Sequence, residues 1–147
     1  MRKISSALLV LVFCASPLLA ALGQSEQSVQ ADRKRMSGTL RSATFEGYTV
    51  HEIDAGGGMV VREYVSPVGM VFGVVWEGTT MPDLSNLLGP YFTQFQENVA
   101  AHPHRRGPVY VQSGTLVVES GGHMRAFRGR AYVTDLIPAN LTKDVVR

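Results

Sequence analysis

Met70, Phe72, Val74 and Trp76 alternate with Val71, Gly73 and Val75, so an extended chain over 70–76 is apolar on both sides. Such a strand needs neighbours within its sheet and a covering layer over each face. The segment is therefore expected at the centre of a sheet. The segments before it supply those neighbours. Residues 48–53 and 59–65 are rich in β-branched and aromatic side chains and flank Asp54-Ala-Gly-Gly-Gly58, whose glycines accept the positive φ of a tight hairpin. Ser66-Pro67-Val68-Gly69 then places proline second and glycine fourth, the pattern of a second turn, and completes a three-stranded meander.

Leu84, Leu87, Leu88, Tyr91, Phe92, Phe95 and Val99 recur at offsets of three and four and paint one apolar stripe on a helix over 83–101. Asp83 or Ser85 can cap its start, and Pro90 after Gly89 should bend it. Short strands follow: 109–112, a Ser113-Gly114 turn or bulge, 115–119, a Gly121-Gly122 turn, and 123–133, with Pro138 closing the pattern. The expected fold is α+β: an antiparallel sheet in the order βββ-α-ββ(β), with one long kinked amphipathic helix packed on one face.

The N-terminus has the layout of a secretory signal. Arg2 and Lys3 precede an apolar run over 7–15, Pro17 breaks it, and small residues follow from Ala20. That run is shorter than the roughly 20 residues that span a bilayer. The expected organisation is a signal peptide over 1–20, with cleavage as late as residue 23 matching the small-x-small pattern better. A flexible polar leader over 21–43 follows, then a single domain over 44–139 and a tail over 140–147. The protein is expected to be exported, periplasmic or secreted, with no transmembrane segment after cleavage.

Cys14, the only cysteine, lies inside the signal. The mature chain therefore has no disulfide and no thiolate, and packing alone must hold it together. The formal charge of +2 also comes from the signal, because without Arg2 and Lys3 there are 12 bases and 12 acids. The charges are polarised along the chain, with Arg62 against seven acids over 44–100 and seven bases against three acids over 101–147.

Arg62 to Gly69 (REYVSPVG), the tract from Val71 to Trp76, Pro82 to Phe92 (PDLSNLLGPYF) and Ser120 to Val133 (SGGHMRAFRGRAYV) together resemble a family of exported proteobacterial proteins catalogued as domain of unknown function 2844. The resemblance covers most of the expected domain. It implies export, a small α+β domain and a bacterial source, and it carries no activity or catalytic residues.

The residues themselves suggest several sites, each with a plain structural alternative. His102-Pro103-His104 pairs two imidazoles, but Arg105 and Arg106 beside them would repel a cation, so no metal site is expected. Ser120, His123 and Asp135 could form a nucleophile, base and orienter, although Ser120 stands at a Gly-Gly pair and no nucleophile elbow surrounds it. Glu52 and Glu63 could meet across the first hairpin as a carboxylate pair. Gly56-Gly57-Gly58 lacks the lysine and helix of a phosphate loop. The Asn140-Leu141-Thr142 sequon is read as chance.

The most suggestive patch is Arg125, Arg128 and Arg130 among Met124, Phe127 and Tyr132, because guanidinium groups beside aromatic rings suit anions. Alternation puts Arg128 and Arg130 on one face, where Glu52 or Glu63 could also pair with them as sheet neighbours. Arg125, Arg128, Arg130, His123 and Tyr132 are the candidate ligand-binding residues, with no catalytic residue, metal or cofactor assigned. The expected function is non-catalytic binding of an anionic envelope ligand or a protein partner, with nucleic acid not expected. The alternatives are a hydrolase acting on an envelope polymer, with His51 or His123 as its base, and a structural subunit packing through Tyr91, Phe92 and Phe95.

Overall fold

The computed structural model describes residues 22–102 and 107–147. The expected signal peptide over 1–20 lies outside the described residues, as do His104, Arg105 and Arg106 of the paired-histidine motif. The elements run α1 (Gln27–Arg35), β1 (Thr39–Phe45), β2 (Tyr48–Gly56), β3 (Met59–Val65), β4 (Val71–Gly78), α2 (Leu84–Leu88), a 3₁₀ turn (Gly89–Tyr91), α3 (Phe92–Ala101), β5 (Val109–Ser113), β6 (Leu116–His123) and β7 (Ala126–Val133). The strands form one antiparallel sheet in the order β1-β2-β3-β4-β7-β6-β5.

The α+β class holds, and β4 lies in the middle with every residue from Val71 to Trp76 buried. The expected division of its faces does not hold. The β3–β4 register slips between Tyr64 and Val65, and the resulting bulge turns Phe72 away from Val74 and Trp76. Val71, Val74 and Trp76 enter a core under the helices, while Phe72 and Val75 enter a second core on the other face.

The expected order βββ-α-ββ(β) and its one long kinked helix are matched only in part: α1 and β1 precede the meander, and the stretch over 83–101 is two helices, α2 and α3, joined at the expected bend. Asp83 Oδ1 accepts from the Ser85 N–H at 2.9 Å, Leu87 and Leu88 are buried, and the 3₁₀ turn at Gly89-Pro90 separates α2 from α3. Tyr91, Phe92 and Phe95 pack against the first core. The expected turn at Gly121-Gly122 is displaced: β6 continues to His123, and Met124 and Arg125 form the turn. Gly122 serves close strand approach, since a Cβ there would lie 2.1 Å from the Ala126 carbonyl oxygen.

The segment over 21–43 is not a flexible leader, because it carries α1 and most of β1. Leu22 is fully buried, its N–H donates to the Leu87 carbonyl, and the Gly23 N–H donates to the Val71 carbonyl. Neither element announces itself by periodicity. In β1, an edge strand, only Leu40 is even half-buried, and in α1 the buried residues are Ser28, Val29 and Asp32. The tail over 140–147 is likewise part of the fold. Val146 is fully buried over Gly73, and the Tyr64 hydroxyl donates to the Arg147 carbonyl.

A tight joint in the sheet lies between β4 and β7. Trp76 is fully buried opposite Gly129, and a Cβ on Gly129 would come within 2.3 Å of the indole. Neither backbone nor a fully buried ring can yield. Gly129→Ala is expected to cost about 3 kcal/mol, whereas Gly121→Ala, whose Cβ would touch Pro108 at an ordinary 3.4 Å, should cost under about 1 kcal/mol. Urea unfolding of the two variants checks the difference.

Candidate functional site

The sheet face away from the helices is only partly covered. Ile137, Leu141, Val145 and Val146 lie over the end formed by Tyr64, Phe72, Val117 and Tyr132. Beyond them one line of opposed residues crosses every strand. Arg41 faces Glu52, which faces Arg62, which faces Val75. Val75 in turn faces Arg130, then Glu119, then Tyr110 on the far edge strand. Directly opposed residues in an antiparallel ladder point to the same side, so these side chains form one row.

Two hollows lie along it. A groove of about 450 Å³ is lined by Arg62, Arg128, Arg130 and Arg147 with Glu77, Glu119 and Tyr110, and a depression of about 350 Å³ by Arg41, Glu52 and the aromatic rings of Phe45, Tyr48 and Tyr64. Arg62 and Arg147 line both.

The arginines are engaged to different degrees. Arg130 donates Nε and Nη2 to the two Glu119 oxygens at 3.0 Å each and Nη1 to the Val146 carbonyl, and its guanidinium lies 5.6 Å from the Tyr132 ring centre. The bonds to Glu119 raise its already high pKa further. Arg62 gives only Nε to Glu52, at 2.9 Å, and its terminal nitrogens make no hydrogen bond to another described residue. No ion pair among the described residues engages Arg41, Arg128 or Arg147.

The candidates read from sequence divide accordingly. Arg128 and Arg130 share a face and line the groove, as alternation requires. Arg125 sits in the β6–β7 turn at φ +64°, and His123 is exposed beside it. Tyr132 is buried in the second core, and burial raises its hydroxyl pKa. Ser120, His123 and Asp135 do not meet: Ser120 is buried opposite Gly129, and the other two lie at opposite ends of the β6–β7 hairpin. Glu52 and Glu63 do not pair either, because Glu52 faces Arg62 while Glu63 faces His51 on the opposite side of the sheet. Arg41, Arg62 and Tyr110 were not singled out, since only their register across distant strands gives them a common place.

The helix-covered face holds a second polar group of residues. Ser42, His51 and Glu63 are opposed across β1, β2 and β3. His51 Nε2 lies 2.7 Å from Glu26 Oε1 and Nδ1 lies 2.7 Å from the Ser42 hydroxyl, so with the proton on Nε2 the serine donates to Nδ1. This joins a hydroxyl, an imidazole and a carboxylate, but neither His51 nor Glu26 lines the groove or the depression.

Beside them Asp32 of α1 and Glu63 of β3 are both fully buried. Arg35 reaches Asp32 Oδ1 at 2.5 Å, yet Asp32 Oδ2 and both Glu63 oxygens have no donor. Two carboxylates cannot both ionise there, and a proton held between them joins Asp32 Oδ2 to one Glu63 oxygen and leaves the other Glu63 oxygen without a partner among the described residues. Burial raises Asp32 to about 6, and burial together with Asp32 raises Glu63 well above its ordinary value.

No group of three metal-ligating side chains occurs among the described residues, and no described helix is long and apolar enough to cross a membrane. A family model described as "Protein of unknown function (DUF2844)" matches residues 19–146. No curated protein and no solved structure matches the chain.

The buried acid pair sets a pH dependence. Both folded-state pKa values are raised, so the folded chain binds more protons than the unfolded one above the ordinary carboxylate range. The stabilisation is complete below that range and is lost as pH rises through about 6 and beyond. The expected slope is about 1.4 kcal/mol per pH unit for each proton released. Glu63→Gln, whose amide can donate to ionised Asp32, should flatten the loss between pH 5 and 8. Urea unfolding at stepped pH checks it, with Arg35, His51 and Glu26 as the other charged or titratable groups nearby.

Proposed function

We propose that this chain, which belongs to the DUF2844 family, is a non-catalytic exported envelope protein that binds an anionic ligand on the open face of its sheet. The observation that carries this reading is the groove in which Arg128 has no carboxylate partner among the described residues and Arg62 keeps its terminal nitrogens uncommitted. Forked guanidinium donors in a partly walled groove suit carboxylate or phosphate oxygens. Titration with inorganic pyrophosphate, followed by amide chemical shifts, should perturb β3, β4 and β7. The Arg62→Ala/Arg128→Ala double variant should weaken binding at least about tenfold, the size expected of one lost charge-assisted contact. Unchanged affinity in that folded variant would sink the reading.

A second reading, hydrolysis of an envelope polymer, is favoured by the contacts of Ser42, His51 and Glu26. It requires Ser42 to be a nucleophile. If Ser42 is not labelled by a fluorophosphonate probe under native conditions, this reading fails.

Export is supported by the charged and apolar pattern of residues 2–20. Cleavage after Gly23 would strip fully buried Leu22 from the core together with its bond to Leu87. The mature chain is therefore expected to begin at Ala21, which intact mass of the envelope protein checks; a chain beginning at Gln24 would overturn this.

A further inference from the structure

We infer that the ligand is an extended acidic polysaccharide lying across the strands along the row from Arg41 to Tyr110. The inference rests on the anion-binding reading above and names the ligand class.

Its first support is length. The row crosses seven strands, which at about 4.8 Å per step makes a track of about 29 Å. The groove and the depression share Arg62 and Arg147, so the two hollows adjoin along that track with these side chains as their common wall. A lone phosphate or carboxylate would use one end and leave the other without a role.

The second support is the alternation of charge. Arg41, Arg62 and Arg130 recur at every second strand, about 10 Å apart. Glu52 and Glu119 stand in the same row, and Glu77 faces Arg128 beside it. A polymer charged at every unit would be driven against these glutamates. A glycan that carries one carboxylate per few sugars can set carboxylates near arginines and donate sugar hydroxyls to the glutamates between them. Aromatic rings in both hollows are the third support. Tyr110 is 49% exposed in the groove, and Phe45, 50% exposed and stacked on Tyr48 at 5.1 Å, lies in the depression on the same face, four residues along β1 from Arg41. Their apolar faces suit the C–H faces of pyranose rings, much as aromatic side chains carry contact area at other recognition sites.

The test is calorimetric titration of the mature protein with oligosaccharides of alternating glucuronate and neutral sugar, from disaccharide to octasaccharide. A carboxyl-reduced octasaccharide and linear polyphosphate serve as controls. Affinity should climb at least about tenfold from disaccharide to hexasaccharide and then level off as the track fills. Arg62→Ala should weaken every length. Arg41→Ala, at an exposed edge-strand position outside the groove, should weaken the long ligands and leave the disaccharide unchanged, with unchanged thermal unfolding, whereas Tyr110→Ala, within the groove, should weaken every length. Pyrophosphate binding in the groove without any dependence on sugar length would overturn the polysaccharide while leaving the anion site standing. Equal affinity for the carboxyl-reduced chain would overturn its acidic character, and polyphosphate with the same length dependence would overturn the sugar. Failure of pyrophosphate and glycans alike would overturn both readings.

Discussion

The fold depends on a strand that cannot face water on either side. β4 is buried along its apolar length, with Trp76 closed against Gly129 beneath the helices and Val75 among the side chains of the opposite core. Each buried face demands a cover, and the chain supplies two different ones. α2, α3 and the N-terminal segment cover the first, while the last residues, with Val146 over Gly73, cover the second. The second cover is short and protects only one end of the sheet. What it leaves open is the charged row, whose exposure follows from the unequal reach of the two covering layers.

The N-terminal segment is held differently from the rest. α1 buries one apolar residue, Val29, and its other buried side chains are Ser28 and Asp32. Its attachment combines main-chain bonds before the helix, the Glu26 contact with His51, and a buried carboxyl pair whose members can meet only with a proton between them. A helix of this composition has little hydrophobic reason to dock. The proton replaces the apolar stripe that such a helix ordinarily presents, so the protonation state of two buried acids bears on how firmly the chain before β1 is seated.

This explains which elements were legible. The hairpins around residues 54–58 and 66–69 follow from glycine, proline and β-branched residues within a few positions, and the bend at Gly89-Pro90 follows from backbone chemistry alone. β1 and α1 were missed because an exposed edge strand and a polar-anchored helix lack the apolar period that reveals their kind. The turn at Met124 and Arg125 was missed because Gly121 and Gly122 resemble a turn, whereas Gly122 meets the need of a close neighbouring strand. In the candidate site, Arg128 and Arg130 were legible as same-face neighbours two residues apart, while Arg41, Arg62 and Tyr110 join them only through pairing.

The sequence by itself determined the α+β class, the turns around residues 54–58 and 66–69, the amphipathic stretch over 83–101 with its bend and the central place of β4, since each depends on residues close together or on a single segment's hydrophobicity. Only the tertiary structure decided that β7 lies between β4 and β6, where it brings Arg130 beside Val75 and completes a row from Arg41 to Tyr110. It alone also set Asp32 against Glu63. The physical reason is common to both: a side chain's partner across a sheet or beneath a helix is set by register, and a one-residue slip would turn a strand's side chains to the opposite face with no change in its local pattern.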